Sequence, residues 1–147
     1  MKRIIIDTNF LLIPYKFKVD IFSEFERICH FDYKLFIFEQ SINELKNIIE
    51  KQSNASELSS KRTRSQSSGK DKRAAHVALK LIKFKDISII KSEQKDVDLL
   101  ILNNLTDDTA VATQDLHLKK ELLEKGTSVI ILRQTKYLQL VERKLYK

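Results

Sequence analysis

Cysteine is nearly absent from this chain. Cys29 is alone among 147 residues, so the chain forms no internal disulfide and offers no cysteine-rich zinc site. A domain of this length buries about 70% of the surface its unfolded chain exposes and is held together by its core. A reducing, cytoplasmic setting fits. Glycine is almost as scarce: with Gly69 and Gly126 alone there is no phosphate-cradling glycine loop, no dinucleotide fingerprint and no G-x-S-x-G nucleophile elbow. His30, His76 and His117 are scattered, and we read them as surface or boundary residues, not ligands. Long apolar runs are missing too. None approaches membrane-spanning length. The stretch after Lys2 and Arg3 is broken at Asp7 and lacks a small-residue cleavage site, so neither a membrane span nor a signal peptide is expected.

What the chain has in surplus is positive charge. Lys plus Arg number 27 against 20 for Asp plus Glu, a net +7, and a basic surface attracts polyanions, nucleic acid foremost. A soluble Lys-rich surface would explain the total by itself, but the charge is concentrated. Lys51, Lys61, Arg62, Arg64, Lys70, Lys72 and Arg73 face only Glu57 and Asp71 in the same stretch. That stretch also carries seven serines between Ser53 and Ser68 and no aromatic residue. It is expected to be a basic Ser-rich loop over about 51–73, and Lys61, Arg62, Arg64, Lys70, Lys72 and Arg73 are the candidate RNA contacts.

Elsewhere short β-branched runs alternate with amphipathic stretches, the pattern of parallel β-α-β units. Strands are predicted at Arg3 to Ile6, Lys34 to Phe38, Ile87 to Lys91, Thr109 to Thr113 and Ser128 to Leu132. Helices are predicted at about Val19 to Cys29, Ile42 to Lys51, Lys70 to Phe84, Val97 to Leu105 and Leu116 to Lys125, with one more from Lys136 to Tyr146. The reading is a single domain over 1–147: a three-layer α/β/α sandwich around a central parallel five-stranded sheet. Ligands of such sheets bind at the carboxyl ends of the strands.

Four carboxylates are predicted to reach that edge. Asp7 ends the first strand in "IIIDTNF", and Asp115 follows the fourth in "AVATQD". Glu44 lies in "SINEL", just after the second strand. Asp98 in "KDVDLLILNNL" shares helical spacing with Ile101, Leu102 and Leu105, which places it on an inward stripe, whereas Asp96 falls on a less consistent one. Each has an ordinary alternative: Asp7 as a turn residue, Asp115 as an N-cap, Ser41 and Glu44 as a capping box. Together they would repel one another unless neutralised. All-oxygen sites of this kind suit Mg²⁺ or Mn²⁺. A metal-binding acidic cluster on a basic protein points to phosphodiester cleavage.

Asp7-Thr8-Asn9, Glu44-Leu45, Asp98 and Thr113-x-Asp115, in this order and spacing, resemble the PIN-domain nucleases over nearly the whole chain. The closing stretch "VATQDLHLKKELLEKGTSVIILRQTKYLQL" resembles an archaeal, ribosomal-RNA-processing-like or VapC-like branch. The resemblance implies strand order 3-2-1-4-5 and a ribonuclease with Asp7, Glu44, Asp98 and Asp115 as catalytic metal ligands. It also implies that Asn9 and Thr113, with Thr8 beside them, support the carboxylates or the attacking water. A 5′-phosphate product, a homodimer, and an antitoxin or a ribosomal precursor as partner belong to the same expectation. Some relatives carry two adjacent acids where this chain has Val97-Asp98, and the basic insertion is unusual for the family. Two other readings compete with this one: an RNA-binding scaffold on the same fold without cleavage, and a receiver-like phosphoacceptor domain. The latter wants a lysine after the last strand, where this chain has Leu132 and Arg133.

Overall fold

The computed structural model describes residues 1–58 and 65–142. Its centre is a six-stranded sheet in the order β3-β2-β1-β4-β5-β6. The strands are β1 (Lys2–Ile6), β2 (Tyr33–Phe38), β3 (Ile87–Ile90), β4 (Thr109–Ala112), β5 (Ser128–Arg133) and β6 (Tyr137–Val141). The first five pair in parallel, and β6 returns antiparallel along β5. The expected order therefore holds, extended by one edge strand.

The isoleucine run at the start of the chain explains its own burial. Side chains alternate across a strand, so Ile4 and Ile6 enter one core and Ile5 the other. A strand covered on both faces reads as a continuous apolar run. On the Ile4 side lie a 3₁₀ turn (Thr8–Leu12) and the helices α1 (Ile13–Phe17), α2 (Ile21–Ile28), α3 (Glu39–Leu58) and α4 (Ser65–Phe84), contributing Phe10, Phe25, Leu45 and Ala78. On the Ile5 side lie α5 (Val97–Asn103) and α6 (Leu116–Glu124), contributing Leu100, Ile101, Leu118 and Leu122.

The structure departs from the sequence reading in three places. The stretch read as a loop is helical through Leu58 and again from Ser65; Lys61, Arg62 and Arg64 lie outside the described residues. Within α4, Arg73 Nε donates to the Tyr15 hydroxyl at 2.8 Å, and Asp71 pairs with Lys16 of α1. Lys70 is exposed and Lys72 lies on the same helix. The second departure is the expected last helix from Lys136, which is strand β6 over its described part. A tight reversal at Gln134 and Thr135 turns the chain back, and Leu138 is buried between exposed Tyr137 and Gln139 with the period of a strand. Third, the stretch from Thr8 to Phe17, left without structure in the sequence reading, forms the 3₁₀ turn and α1.

Candidate active site

The register of β1 on β4 builds the site. Ile6 stands beside Ala112, so the next residue on each strand, Asp7 and Thr113, emerge together at the carboxyl edge. Asp7 N–H donates to Ala112 O at 2.9 Å. Its side chain is then gripped from two sides: Thr8 N–H donates to Oδ1 at 2.8 Å, and Thr113 Oγ1 donates to Oδ2 at 2.7 Å. Asp7 is only 5% exposed. Burial pushes its carboxyl above the usual carboxylate range, the Thr113 and Thr8 hydrogen bonds work against that rise, and the charge of Asp115 adds to it.

Asp115 is the N-cap of α6. Its Oδ1 accepts from His117 N–H at 2.9 Å and Leu118 N–H at 3.2 Å, so the capping alternative is geometrically met. Its charge still acts on both Asp7 and Asp98. Its own backbone N–H donates to Thr113 Oγ1 at 3.1 Å, so one hydroxyl joins both aspartates.

Glu44 lies in the second turn of α3, not at a cap. The helix starts at Glu39, which puts Ser41 inside it, and the S-x-x-E pattern is not a capping box here. Ser41 is fully buried and its Oγ accepts from Thr8 Oγ1 at 2.8 Å, tying α3 to the residue after Asp7. The Glu44 carboxyl is pushed up by desolvation, then by the charges of Asp7, Asp98 and Asp96, with the Thr8 hydroxyl opposing.

Asp98 sits in the first turn of α5, but not on an inward stripe as expected. Asp96 caps this helix through Asp98 N–H at 2.9 Å and Leu99 N–H at 3.4 Å. That start sets the phase so that Val97, Leu100 and Ile101 face the core, leaving Asp98 exposed. Its carboxyl is nonetheless raised, first by desolvation and then by Asp7, Asp115 and Asp96. Asn9 contributes its backbone carbonyl to Gln114 Nε2 at 2.9 Å.

Asp7, Glu44, Asp96, Asp98 and Asp115 line one open basin of about 230 Å³ with Thr8, Asn9 and Val97, and no basic side chain is among them. Such a set of oxygens fits a hard divalent cation in its donor chemistry. Among the described residues no three of the acids stand closely enough to form a closed ligand cage, and Mg²⁺, which keeps several waters, is usually held by only one or two carboxylates. Sequence reasoning missed Asp96 as a lining residue, Ser41 as the anchor of Thr8, and Gln40. Gln40 Nε2 donates to Ser92 O at 2.6 Å and Gln94 O at 2.5 Å, fixing the segment that leads into Asp96. No local signal marks Gln40, because its partners are backbone carbonyls more than fifty positions away.

Among the described residues no helix is long and apolar enough to cross a membrane. Comparison with known proteins agrees with the fold. Ribonuclease VapC4 of Methanocaldococcus jannaschii is 28% identical over 142 residues, spanning 95% of this chain and 97% of that protein. A solved structure of the PIN domain endonuclease Utp24 superposes with a TM-score of 0.70 at 18% identity, covering 97% of this chain and 92% of that one, a likeness of fold. The model of the PIN like domain family matches residues 4–135, which take in most of β1, all of β2 to β5 and every acid of the basin, and the chain therefore belongs to that family.

Proposed function

We propose that this protein is a divalent-metal-dependent ribonuclease with its centre at the acidic basin. The observation that carries the reading is a buried Asp7 held by two hydrogen bonds among four further carboxylates with no cation in the lining. An arrangement that raises the pKa of Asp7, Glu44 and Asp98 opposes ionisation unless a cation joins it. Asp7, Glu44, Asp98 and Asp115 would hold Mg²⁺ or Mn²⁺, one or two of them directly and the others through the ion's waters, and when bound the ion supplies an activated water and neutralises charge on the phosphodiester. Thr113 and the Thr8 amide orient Asp7, and the Thr8 hydroxyl anchors Ser41 of the helix that carries Glu44. RNA is the polymer we infer, supported by the net charge of +7 and by the name of the archaeal relative, a ribonuclease. A second copy of the chain, and either a ribosomal precursor or an antitoxin, are the partners we propose with it; native mass and co-purification from the source cell test both.

The direct test is RNA cleavage in Mn²⁺ by wild type and Asp7→Asn. The substitution keeps the shape of the side chain and removes a ligand, so the rate should fall by more than the roughly 100-fold typical of losing an outer-shell partner, with RNA affinity retained. Wild-type rates in the variant would overturn the mechanism. RNA binding without any cleavage by wild type would favour a scaffold on the same fold.

A further inference from the structure

Beside the acidic basin lies a second cleft, of about 320 Å³, and Asp115 lines both. Its other walls have the opposite chemistry. Lys119 of α6 and Arg133 at the end of β5 bring positive charge, and Phe17 and Leu116 bring an apolar side. Leu116 is 77% exposed. Arg133 Nε donates to Gln139 Oε1 at 2.6 Å, which fixes the guanidinium plane. Among the described residues its terminal nitrogens take no other partner, and Lys119 makes no ion pair.

The rim is a turn of unusual composition. Gln134 and Thr135 are both left-handed, with φ of 51° and 54°, and Lys136 N–H closes the turn on Arg133 O at 2.9 Å. Tight hairpins with positive φ at both central positions are ordinarily built from Asn-Gly or Gly-Gly, and a β-branched residue there is a genuine outlier. Both residues line the cleft, and the Thr135 hydroxyl donates to Gln134 O at 2.6 Å. Strain retained beside a candidate site is a reason to ask what the side chains do.

We propose that this cleft holds the nucleotide next to the scissile phosphate of a single-stranded RNA. Lys119 and Arg133 take its phosphate, Phe17 and Leu116 take the base, and Gln134 and Thr135 meet its polar edge. Volume agrees, since small-ligand pockets begin at about 300 Å³. Charge agrees as well, because a polyanion approaching a basin lined by five carboxylates needs cations at its side. The proposal rests on reading that basin as the cleavage centre.

The test uses the full chain in chelator, with fluorescent oligouridylates of two to six nucleotides and with inorganic phosphate as the competing anion. Lys119→Ser with Arg133→Ser should weaken oligonucleotide binding at least about tenfold. It should also lower the log-log salt slope by roughly 0.7, since the two cations share one phosphate and each single-strand phosphate contributes about 0.7. The gain in affinity on lengthening the probe by the nucleotide that reaches the cleft should vanish. Lys85→Ser with Lys125→Ser removes the same charge at the opposite edge of the sheet, where β3 and β5 begin, and should leave slope and affinity as in wild type. Equal effects from the two pairs, an unchanged slope, or full competition by phosphate alone would overturn the proposal. Cleavage by Asp7→Asn reads out the basin separately. A fallen slope with an active Asp7→Asn leaves the cleft standing and removes the cleavage centre; an inactive Asp7→Asn with an unchanged slope does the reverse.

Discussion

Asp7 shows how one residue is made both costly and useful. Its burial opposes the charged form, and its two donors hold that form in one orientation. A carboxyl whose folded pKa lies above its unfolded value favours folding most at low pH, and that contribution is lost as pH rises through the folded value. Asp20 and Glu24 are lowered, Asp20 mainly by the Ser23 hydroxyl and Glu24 by Arg27, and act in the opposite sense, so the informative quantity is the difference between variant and wild type. In chelator, Asp7→Asn should gain melting temperature over wild type as pH rises from about 4. A constant difference across pH would mean that the charge of Asp7 is not strained. Thr113→Val tests the hydroxyl shared by Asp7 and Asp115: fully buried, it should cost about 1 to 3 kcal/mol and reduce cleavage about 10- to 100-fold. At this scale Asp7 and Asp115 were legible because they stand where a β-branched run stops. Glu44 was legible from its place just after the second strand, and the capping box that was its ordinary alternative does not form, since Ser41 faces Thr8. Asp98 does not occupy the inward stripe that its spacing predicts, because the cap at Asp96 sets the phase of α5.

The elements show a second layer of support. Asp115→Ala should destabilise by about 1 kcal/mol through the lost cap, whereas Asp115→Asn keeps the cap; both should lose cleavage, so thermal melts and rates together separate the two roles of the residue. Gln40→Ala removes two bonds from α3 to the connection before α5. It should cost about 1 to 3 kcal/mol and lower cleavage with no change in the acids themselves. The edge strand β6 is protected in its own way. Glu24 and Arg27 of α2 form a bidentate pair, and the same two side chains take the outward N–H and C=O of Leu138 at 2.9 Å each, covering an edge that would otherwise be open to another strand. The parallel strands and their helices were readable from alternation of pattern. The last strand was not, because "TKYLQLVERKLY" also fits helical spacing, and what decides is a left-handed turn at Gln134 and Thr135 that no glycine announces. The helical continuation through Ser-rich sequence was likewise hidden by composition, since α3 and α4 pack along each other.

For the whole molecule, the cation proposed for the acidic basin would link metal binding to stability. A cation bound only by the folded chain stabilises it by about 2.7 kcal/mol at 100 times its dissociation constant, which for a domain of this size is a rise of about 5 to 11 °C. Mn²⁺ should produce that rise in wild type and much less in Asp7→Asn; equal shifts would place the cation elsewhere. The central position of β1 has one more consequence. Its right-hand neighbour is β4, so Asp7 and Thr113, 106 positions apart, meet only when most of the chain exists. At synthesis rates of about 5 to 20 residues per second, the first strand waits roughly 5 to 20 s for that partner. Until then the growing polypeptide displays Asp7 and Glu44 without Asp98, Asp115 or the threonine that fixes them. The proposed cleavage centre therefore stays incomplete until β4 has been made.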